Sequence, residues 1–335
     1  MNLLFAGDLH IADKAPSGRV DDYMETMLGK LESITALCKK HKVEHAFFTG
    51  DIYHVKQPNR VSHGLVQRLI GAFKAFPCPV YVVPGNHDYG PEGIDSLPRQ
   101  PLGTLEKAGA IELLMEMKGF GVKDGNPEFW IVPRPYNAVA EGVHTGVTDP
   151  SYYALTEEEH EKIRGQKAPV IGLAHGSLVA PGDSRQYPTV DVSQIPGLED
   201  YNLLVSGHIH ESLGVVQVGT TVFANPGSVA RTRRDLASYA RTIEVLLVGV
   251  DKDGVSVEEV PLPDVLPALE VFGRRSPDDT VELEGVDADE ISNFVELLGQ
   301  GIRADQMSIP ELLAELGDLE PKVKAEVQRH LEEAS

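Results

Sequence analysis

The stretch Val82-Val83-Pro84-Gly85-Asn86-His87-Asp88 is an apolar run that proline and glycine break, leaving three polar side chains on the turn beyond it. Open α/β sheets present their functional side chains in this way, at the carboxyl ends of strands. The same layout recurs at residues 3–10, 46–54, 170–175 and 203–210, where apolar runs lead into Asp8 and His10, Asp51, His175, and His208 and His210. Five such strand ends predict one metal cluster at a shared edge of a sheet.

The spacing of apolar residues predicts an α/β protein. Helical periodicity covers residues 21–40 and 61–76, and strands are expected at residues 3–7, 46–49 and 80–83. Strands that alternate with helices imply parallel crossovers in the first half of the chain. From about residue 165 the helices thin out, and the closer strand spacing predicts a more antiparallel second half. We therefore expect two mixed β-sheets packed face to face and flanked by helices.

Composition restricts the class of protein. The chain has 335 residues, of which 41% are hydrophobic, enough for one large domain with an appendage or for two domains. No apolar run approaches the roughly 20 residues that a membrane helix needs, and the N-terminus shows no secretory pattern. Cys38 and Cys78 are interpreted as reduced thiols, so we expect a cytoplasmic protein, or one of the host cytoplasm if its source is viral.

The negative charge is concentrated in the tail. The formal net charge is −21, but residues 251–335 contain 22 acidic and 7 basic side chains, against 29 and 23 in residues 1–250. The body of the protein is therefore not barred from binding a polyanion.

A cluster of prolines and glycines near residues 260–275 marks the domain boundary that we predict. Residues 1–260 form the main domain, 261–304 a small domain with a cap-like α/β fold, and 305–335 two short helices. Each of these helices carries an apolar stripe that suits a groove on a partner protein; the stripes are Ile309, Leu312, Leu313 and Leu316, and Val323, Val327 and Leu331.

The residues at the five strand ends have the chemistry of metal ligands. Carboxylate, imidazole and amide groups suit a divalent ion such as manganese, and magnesium, iron or zinc are also compatible. Seven ligands are too many for one tetrahedral ion, but they suit two ions that share Asp51. Such a pair is suited to phosphoester hydrolysis. The seven candidates are Asp8, His10, Asp51, Asn86, His175, His208 and His210.

This set of motifs resembles the calcineurin-like metallophosphoesterase superfamily, in the right order over residues 1 to about 235. Asn225-Pro226-Gly227-Ser228 is also similar to that superfamily. The resemblance implies that one ion is held by Asp8, His10, Asp51 and His210, and the other by Asp51, Asn86, His175 and His208. It also implies that His87 lies over the phosphate as a general acid or transition-state donor. Asp88 is expected to be structural and to orient His87.

Within the superfamily, Asp51-Ile52-Tyr53-His54 resembles the double-strand-break repair nucleases, the SbcD and meiotic-recombination-eleven family. His54 would then help to position the DNA phosphate. This resemblance implies a manganese-dependent DNA nuclease, with 3′→5′ exonuclease action on duplex ends and endonuclease action on single strands. It further implies a homodimer, a DNA cap and an SbcC-type SMC-like ATPase bound by the tail. Residues 262–300 are short for such a cap.

Basic residues in loops are candidates for contacts to DNA phosphates. The strongest group is the run at 231–234, because three guanidiniums follow the Asn225 turn directly. The candidates are Lys14, Arg19, Lys56, Arg60, Arg99, Arg134, Arg231, Arg233 and Arg234. No aromatic-rich platform is visible in the sequence, so we do not expect base-specific recognition.

Two other functions remain open at this stage. The protein could be a different dinuclear-metal phosphodiesterase or phosphatase, for example one that acts on cyclic nucleotides or small molecules. It could also be mainly a scaffold that positions the ATPase on DNA, although a scaffold would have no need of an intact His87.

Overall fold

The computed structural model describes residues 1–123, 125–183, 185–252 and 254–273. All of them belong to one compact unit, Met1–Arg275. The predicted apolar stripes of residues 309–331, and most of the predicted small domain, lie outside the described residues, so the division at residues 260 and 304 stays a prediction.

The helices are α1 (Tyr23–Lys40), α2 (His63–Lys74), α3 (Pro101–Lys107), α4 (Glu157–Ile163), α5 (Leu236–Ala240) and α6 (Ala268–Val271). The strands are β1 (Asn2–Ala6), β2 (His45–Phe48), β3 (Val80–Val82), β4 (Glu112–Leu113), β5 (Lys118–Phe120), β6 (Phe129–Arg134), β7 (Val170–Gly176), β8 (Leu178–Val179), β9 (Val190–Asp191), β10 (Leu203–His208), β11 (Gly214–Val218), β12 (Thr221–Asn225), β13 (Glu244–Asp251) and β14 (Gly254–Pro261).

The strands form two six-stranded sheets, in the orders β14-β13-β1-β2-β3-β4 and β11-β12-β10-β7-β6-β5. A core between the sheets contains Phe5 and Phe47 from the first and Ile171 and Val205 from the second. Because alternate residues of a strand point to opposite faces, Leu4 and its alternating neighbours pack instead against the helices. The predicted fold class, two mixed sheets packed face to face and flanked by helices, is confirmed.

The second sheet is more parallel than the sequence suggested. Strands β6, β7, β10 and β12 are all parallel to their neighbours in this group, and only the edge strands β5 and β11 are antiparallel. The second half of the chain is still more antiparallel than the first, as predicted, because β13 pairs antiparallel with β1 and β14, and β11 with β12. Parallel pairing in this half is confined to the centre of the second sheet and the short β8–β9 pair. The connections of the second sheet contain short 3-10 helices, such as Pro150–Tyr153 and Val192–Gln194, instead of long amphipathic helices, so helical periodicity did not reveal the crossovers.

Helix α1 shows how the sequence sets an element that supports the site. The Asp22 carboxylate caps its first turn by accepting a hydrogen bond from the Glu25 amide (3.2 Å). Its apolar stripe, which includes Met27, Leu31 and Ile34, is fully buried against the first sheet. No helix in the described ranges is long and apolar enough to span a membrane.

Arg134 has a structural role in this fold. It ends β6, is 7% exposed, and forms a double hydrogen bond with Glu159 of α4 (3.0 and 2.7 Å). The same guanidinium donates to the Ala154 carbonyl (2.5 Å). The predicted contact of Arg134 with DNA is therefore wrong, because the side chain is used inside the protein.

Replacing Arg134 with alanine is expected to lower the free energy of unfolding by about 3–5 kcal/mol, because Glu159 would be left buried without its partner. Denaturant unfolding followed by circular dichroism measures this loss. Arg164→Ala is the control, since Arg164 pairs with Glu161 on the surface (2.6 Å) and such pairs contribute roughly 0–1 kcal/mol. Equal losses in the two variants would contradict the assignment.

Candidate metal centre

The two sheets bring all seven predicted ligands together at one edge. Asp8 and His10 follow β1, Asp51 follows β2 and Asn86 follows β3. From the second sheet, His175 lies inside β7, His208 ends β10, and His210 comes two residues later. This proximity agrees with the sequence analysis, whereas the role of each residue as a ligand stays a prediction.

A first group consists of Asp8, His10 and His210, whose donor atoms all lie within 4.8 Å of one another. The Nε2 atoms of the two histidines are 2.8 Å apart, and His210 Nε2 is 3.8 Å from Asp8 Oδ2. Asp51 Oδ2 is 3.5 Å from His10 Nε2. This group can hold one ion, with Asp51 on the side that faces the second group.

A second group consists of Asp51, His175 and His208, again within 4.8 Å. Asp51 Oδ2 is 3.5 Å from His175 Nε2. Asn86 joins the group through its Oδ1 atom, which is 3.1 Å from His175 Nε2 and 2.9 Å from His208 Nδ1. One oxygen of Asp51 therefore lies at 3.5 Å from a histidine of each group, which is the position that a shared ligand needs.

The charge balance of these groups fits two divalent cations. Asp8 and Asp51 are 0% and 2% exposed, and among the described residues no lysine or arginine lies within 4.0 Å of either carboxylate. Burial raises the pKa of Asp8 to about 7, because a carboxylate removed from water is destabilised in its charged form and the neighbouring Asp51 adds to the effect. Burial also lowers the pKa of His208 to about 3 and that of His210 to about 4, which favours the neutral form that binds metals.

A third group, His10, His54 and His87, also lies within 4.8 Å. It contains no carboxylate, and it has His10 in common with the first group. The His54 and His87 rings are parallel within 9°, with centroids 5.7 Å apart. His87 Nδ1 donates to the His54 carbonyl (2.6 Å), so only Nε2 is left for other partners.

The backbone is strained at three of the predicted ligands. His10, Asp51 and His208 have φ values of 47°, 49° and 81°, in the left-handed region that residues other than glycine rarely occupy. Such strain is characteristic of functional sites, where the surrounding structure holds it in place.

Two glycines leave room for the carboxylates. A Cβ at Gly85 would lie 2.2 Å from Asp51 Oδ1, and one at Gly207 would lie 2.6 Å from Asp8 Oδ1. Any side chain at these positions would displace a predicted ligand.

Hydrogen bonds from surrounding residues orient the ligands. His175 Nδ1 lies 2.6 Å from the Thr49 carbonyl and donates to it, so Nε2 is the ring atom that faces Asp51. The turn after β12 contacts the first group, since Ser228 Oγ donates to the Asp8 carbonyl (2.9 Å) and the Ser228 amide donates to the His210 carbonyl (3.0 Å). The Asn225–Ser228 motif thus holds the backbone of two predicted ligands.

Asp88 joins the turns that follow β2 and β3. Its Oδ1 atom accepts hydrogen bonds from the amides of Ile52 and Tyr53 (2.9 and 3.4 Å), and Oδ2 accepts one from the amide of Gly85 (2.9 Å). The structure shows the structural role expected for Asp88. It gives no hydrogen bond between Asp88 and the His87 ring, so Asp88 acts on the backbone.

Asp88→Asn is expected to lower the free energy of unfolding by about 1–3 kcal/mol, because an amide nitrogen would face a backbone donor. A thermal or urea melt measures the change. Asp149→Asn is a matched control: Asp149 is an exposed cap that accepts from the Ser151 amide (3.0 Å). Unchanged stability in Asp88→Asn would contradict this role.

An open cleft of about 450 Å³ begins at Asp51, Asn86 and His87. Beyond these side chains its wall contains several residues that the sequence analysis did not select, because they follow no strand end and form no motif. They include Arg185, Tyr187, Glu211, Thr232 and Arg241. The Tyr187 ring also lies on this wall and is 48% exposed. No sequence signal marks this ring, because only the fold brings it to the cleft.

The predicted DNA contacts divide into three sets. Arg233 lines the cleft and Arg234 is half-buried; Lys14, Lys56, Arg60 and Arg99 are exposed. Arg19 and Arg231 are buried, and their prediction as phosphate contacts is wrong. Arg19 binds Asp21 (2.6 Å) and the Arg231 carbonyl (2.8 Å), whereas Arg231 binds backbone carbonyls.

Several solved structures resemble this chain at low sequence identity. TT1561 of Thermus thermophilus is 12% identical, with a TM-score of 0.45 over 77% of this chain and 98% of the other. A novel archaeal phosphodiesterase is 14% identical, with a TM-score of 0.35 and coverage of 78% and 100%. A putative 5′-nucleotidase from Staphylococcus aureus is 13% identical, with a TM-score of 0.46 and coverage of 79% and 55%.

No curated protein matches the chain. The family model of the calcineurin-like phosphoesterases, in contrast, matches residues 1–212. This range is more than half of the chain, and it includes both groups of candidate metal ligands from Asp8 to His210. With two mixed sheets carrying clustered His and Asp side chains at one edge, the chain belongs to the calcineurin-like phosphoesterase family.

Proposed function

We propose that this phosphoesterase is a DNA nuclease that depends on two divalent ions, with manganese as the preferred metal. The observation that carries the proposal is the packing of His54 on His87 beside the metal groups, in an Asp51-x-x-His54 sequence that resembles the double-strand-break repair nucleases. The cleft next to these side chains contains arginines that suit a polyanionic backbone.

The proposed ligand sets are Asp8, His10, Asp51 and His210 for one ion, and Asp51, Asn86, His175 and His208 for the other. Two such ions supply charge stabilisation at the phosphate and lower the pKa of a water nucleophile.

His87 has a separate role in this proposal. Its Nδ1–H donates a hydrogen bond to the His54 carbonyl, and its backbone amide donates one to the Asp51 carboxylate (2.8 Å). The ring is therefore held with Nε2 available at the cleft, where it can donate a proton or hydrogen bond to the departing oxygen. The backbone carbonyl of His54 fixes the orientation of His87, and the His54 ring would help to position the DNA phosphate.

Three substrates test the proposal: linear duplex DNA labelled at either end, circular single-stranded DNA, and bis-p-nitrophenyl phosphate. We expect all three to be cleaved in manganese, with shortening of the duplex from its 3′ ends. The proposal is wrong if bis-p-nitrophenyl phosphate is hydrolysed while both DNAs stay intact in manganese, magnesium, iron and zinc.

A second candidate is a phosphodiesterase that acts on cyclic or other small nucleotides. The volume of the cleft, about 450 Å³, is within the range of small-molecule sites, and Tyr187 offers a ring on which a base can stack. Turnover of cyclic AMP at least as fast as that of DNA phosphodiesters would favour this candidate.

We also propose that residues 305–335 bind an SMC-like ATPase of the SbcC type. The support is the sequence pattern, two apolar stripes in an acidic tail. Co-purification of the full chain with an ATPase encoded by a neighbouring reading frame tests it. The complex should be lost on deletion of residues 305–335, and a complex that survives the deletion would contradict the proposal.

A further inference from the structure

Three arginines line the cleft. Arg185 pairs with Asp183 and Glu211, which leaves Arg233 and Arg241. Both belong to the segment 228–241, which connects the turn after β12 to the end of α5. Arg233 is exposed, whereas Arg241 is partly buried. In the described part of the chain, no carboxylate lies within 4.0 Å of either guanidinium.

Two backbone carbonyls hold the Arg241 guanidinium in place, but they do not accept all of its N–H donors. Nη1 donates to the Ser228 carbonyl (2.5 Å), and Nη2 donates to the Ala230 carbonyl. A guanidinium has five N–H donors, so three are left after these two bonds. Burial, followed by the nearby Arg231, lowers the pKa of Arg241 to about 10, as expected for a cation without a paired anion.

The carboxylates on the same wall are committed elsewhere. Glu211 pairs with Arg185 (2.5 Å), and Asp235 caps α5 by accepting a hydrogen bond from the Ser238 amide (2.7 Å). Neither carboxylate forms an ion pair with Arg241, so its guanidinium can pair with an incoming anion at the cleft.

The buried Arg231 side chain fixes the backbone conformation of the segment 228–241. It donates to the carbonyls of Ser238 (2.9 Å), Leu266 (3.2 Å) and Arg241 (3.0 Å). The two cleft arginines are thereby presented on a fixed backbone, which reduces the entropy lost when they bind a ligand.

We propose that Arg233 and Arg241 form an anion subsite for the phosphate next to the one being cleaved. This inference rests on the proposed function, because a polynucleotide carries such a neighbouring phosphate and an isolated phosphodiester does not. The protein would then favour substrates with two phosphate groups on one backbone. Arg231, which sequence analysis placed among the phosphate contacts, is instead a positioning residue for this subsite.

The test compares the thymidine dinucleotide dTpdT with pdTpdT and dTpdTp, which add a phosphate at the 5′ or the 3′ end. We expect kcat/KM to be about tenfold higher for one of the phosphorylated forms, the size of effect that charge-assisted contacts give. Arg233→Ala should remove this preference. The control Arg164→Ala, which removes an arginine that is 72% exposed at the end of another helix, should keep it.

A second measurement does not depend on cleavage. Calorimetric titration of the three dinucleotides in EDTA should show the same preference of about tenfold for wild type and Arg164→Ala, and none for Arg233→Ala. Arg241→Lys, which keeps the charge but loses the paired donors to Ser228 and Ala230, should reduce it.

The inference is overturned if wild type binds and cleaves all three dinucleotides equally, or if Arg233→Ala keeps the preference. Failure of the proposed function has a different signature: intact DNA, with the phosphorylated dinucleotide still bound more tightly. That result would leave the subsite in place and remove the polynucleotide as substrate.

Discussion

Replacing Asp51 with asparagine is expected to reduce turnover of bis-p-nitrophenyl phosphate by on the order of 10³-fold or more. The carboxylate lies between the two groups of candidate ligands, 3.5 Å from a histidine of each, so its charge would serve both ions. Ions at such sites supply several kcal/mol of stabilisation, and about 1.4 kcal/mol corresponds to a factor of ten in rate.

Metal analysis by mass spectrometry completes this experiment. Wild type should contain two ions per chain after loading with manganese, and Asp51→Asn at most one. The conservative amide keeps an oxygen in the position that accepts the His87 amide hydrogen bond, so the fold should be retained in a circular dichroism melt. Asp264→Asn, at an exposed position, is the matched control. Two ions and turnover within tenfold of wild type in Asp51→Asn would contradict a shared ligand.

His87→Ala is expected to lower kcat by roughly 10²–10⁴-fold, the usual contribution of a general acid or base. His87 is expected to act on the leaving oxygen and not to bind metal, so this variant should still contain two ions per chain. Steady-state hydrolysis and metal analysis of the same preparation separate the two roles. His144→Ala removes an exposed histidine and serves as control.

The outcome for His87 also decides the meaning of the all-histidine group. If His10, His54 and His87 hold an ion, His87→Ala should lose that ion along with its activity. Loss of one ion would therefore contradict the role of His87 as a proton donor, and so would a kcat equal to that of wild type.

Much of the candidate site was predictable because it depends on local structure. An apolar strand followed by a tight turn delivers the next few side chains to the carboxyl edge of its sheet, whichever neighbours the strand has. Asp8, Asp51, Asn86, His175 and His210 could be selected on this basis, and the structure brings them together. The helices α1 and α2 were predicted for a similar reason, since their apolar stripes repeat with the helical period.

The burial of three arginines could not be predicted from local sequence. Arg19, Arg134 and Arg231 look like the exposed basic residues of the same loops, yet the structure buries them. Their partners are distant in sequence: the Arg19 guanidinium binds the carbonyl of residue 231 (2.8 Å), and Arg134 binds Glu159. A guanidinium is stable in the interior only when such partners satisfy its donors, and no pattern within a loop specifies them.

The sequence by itself determined the two-sheet α/β class, the family resemblance and the residues with metal-binding chemistry. Strand periodicity, turns and residue type depend only on residues that are close together in the chain. Only the tertiary structure decided that the second sheet is largely parallel, that Asp88 joins two turns, and that Arg233 and Arg241 lie on one wall of the cleft. These features depend on contacts between segments far apart in the chain, which form only when both sheets have packed.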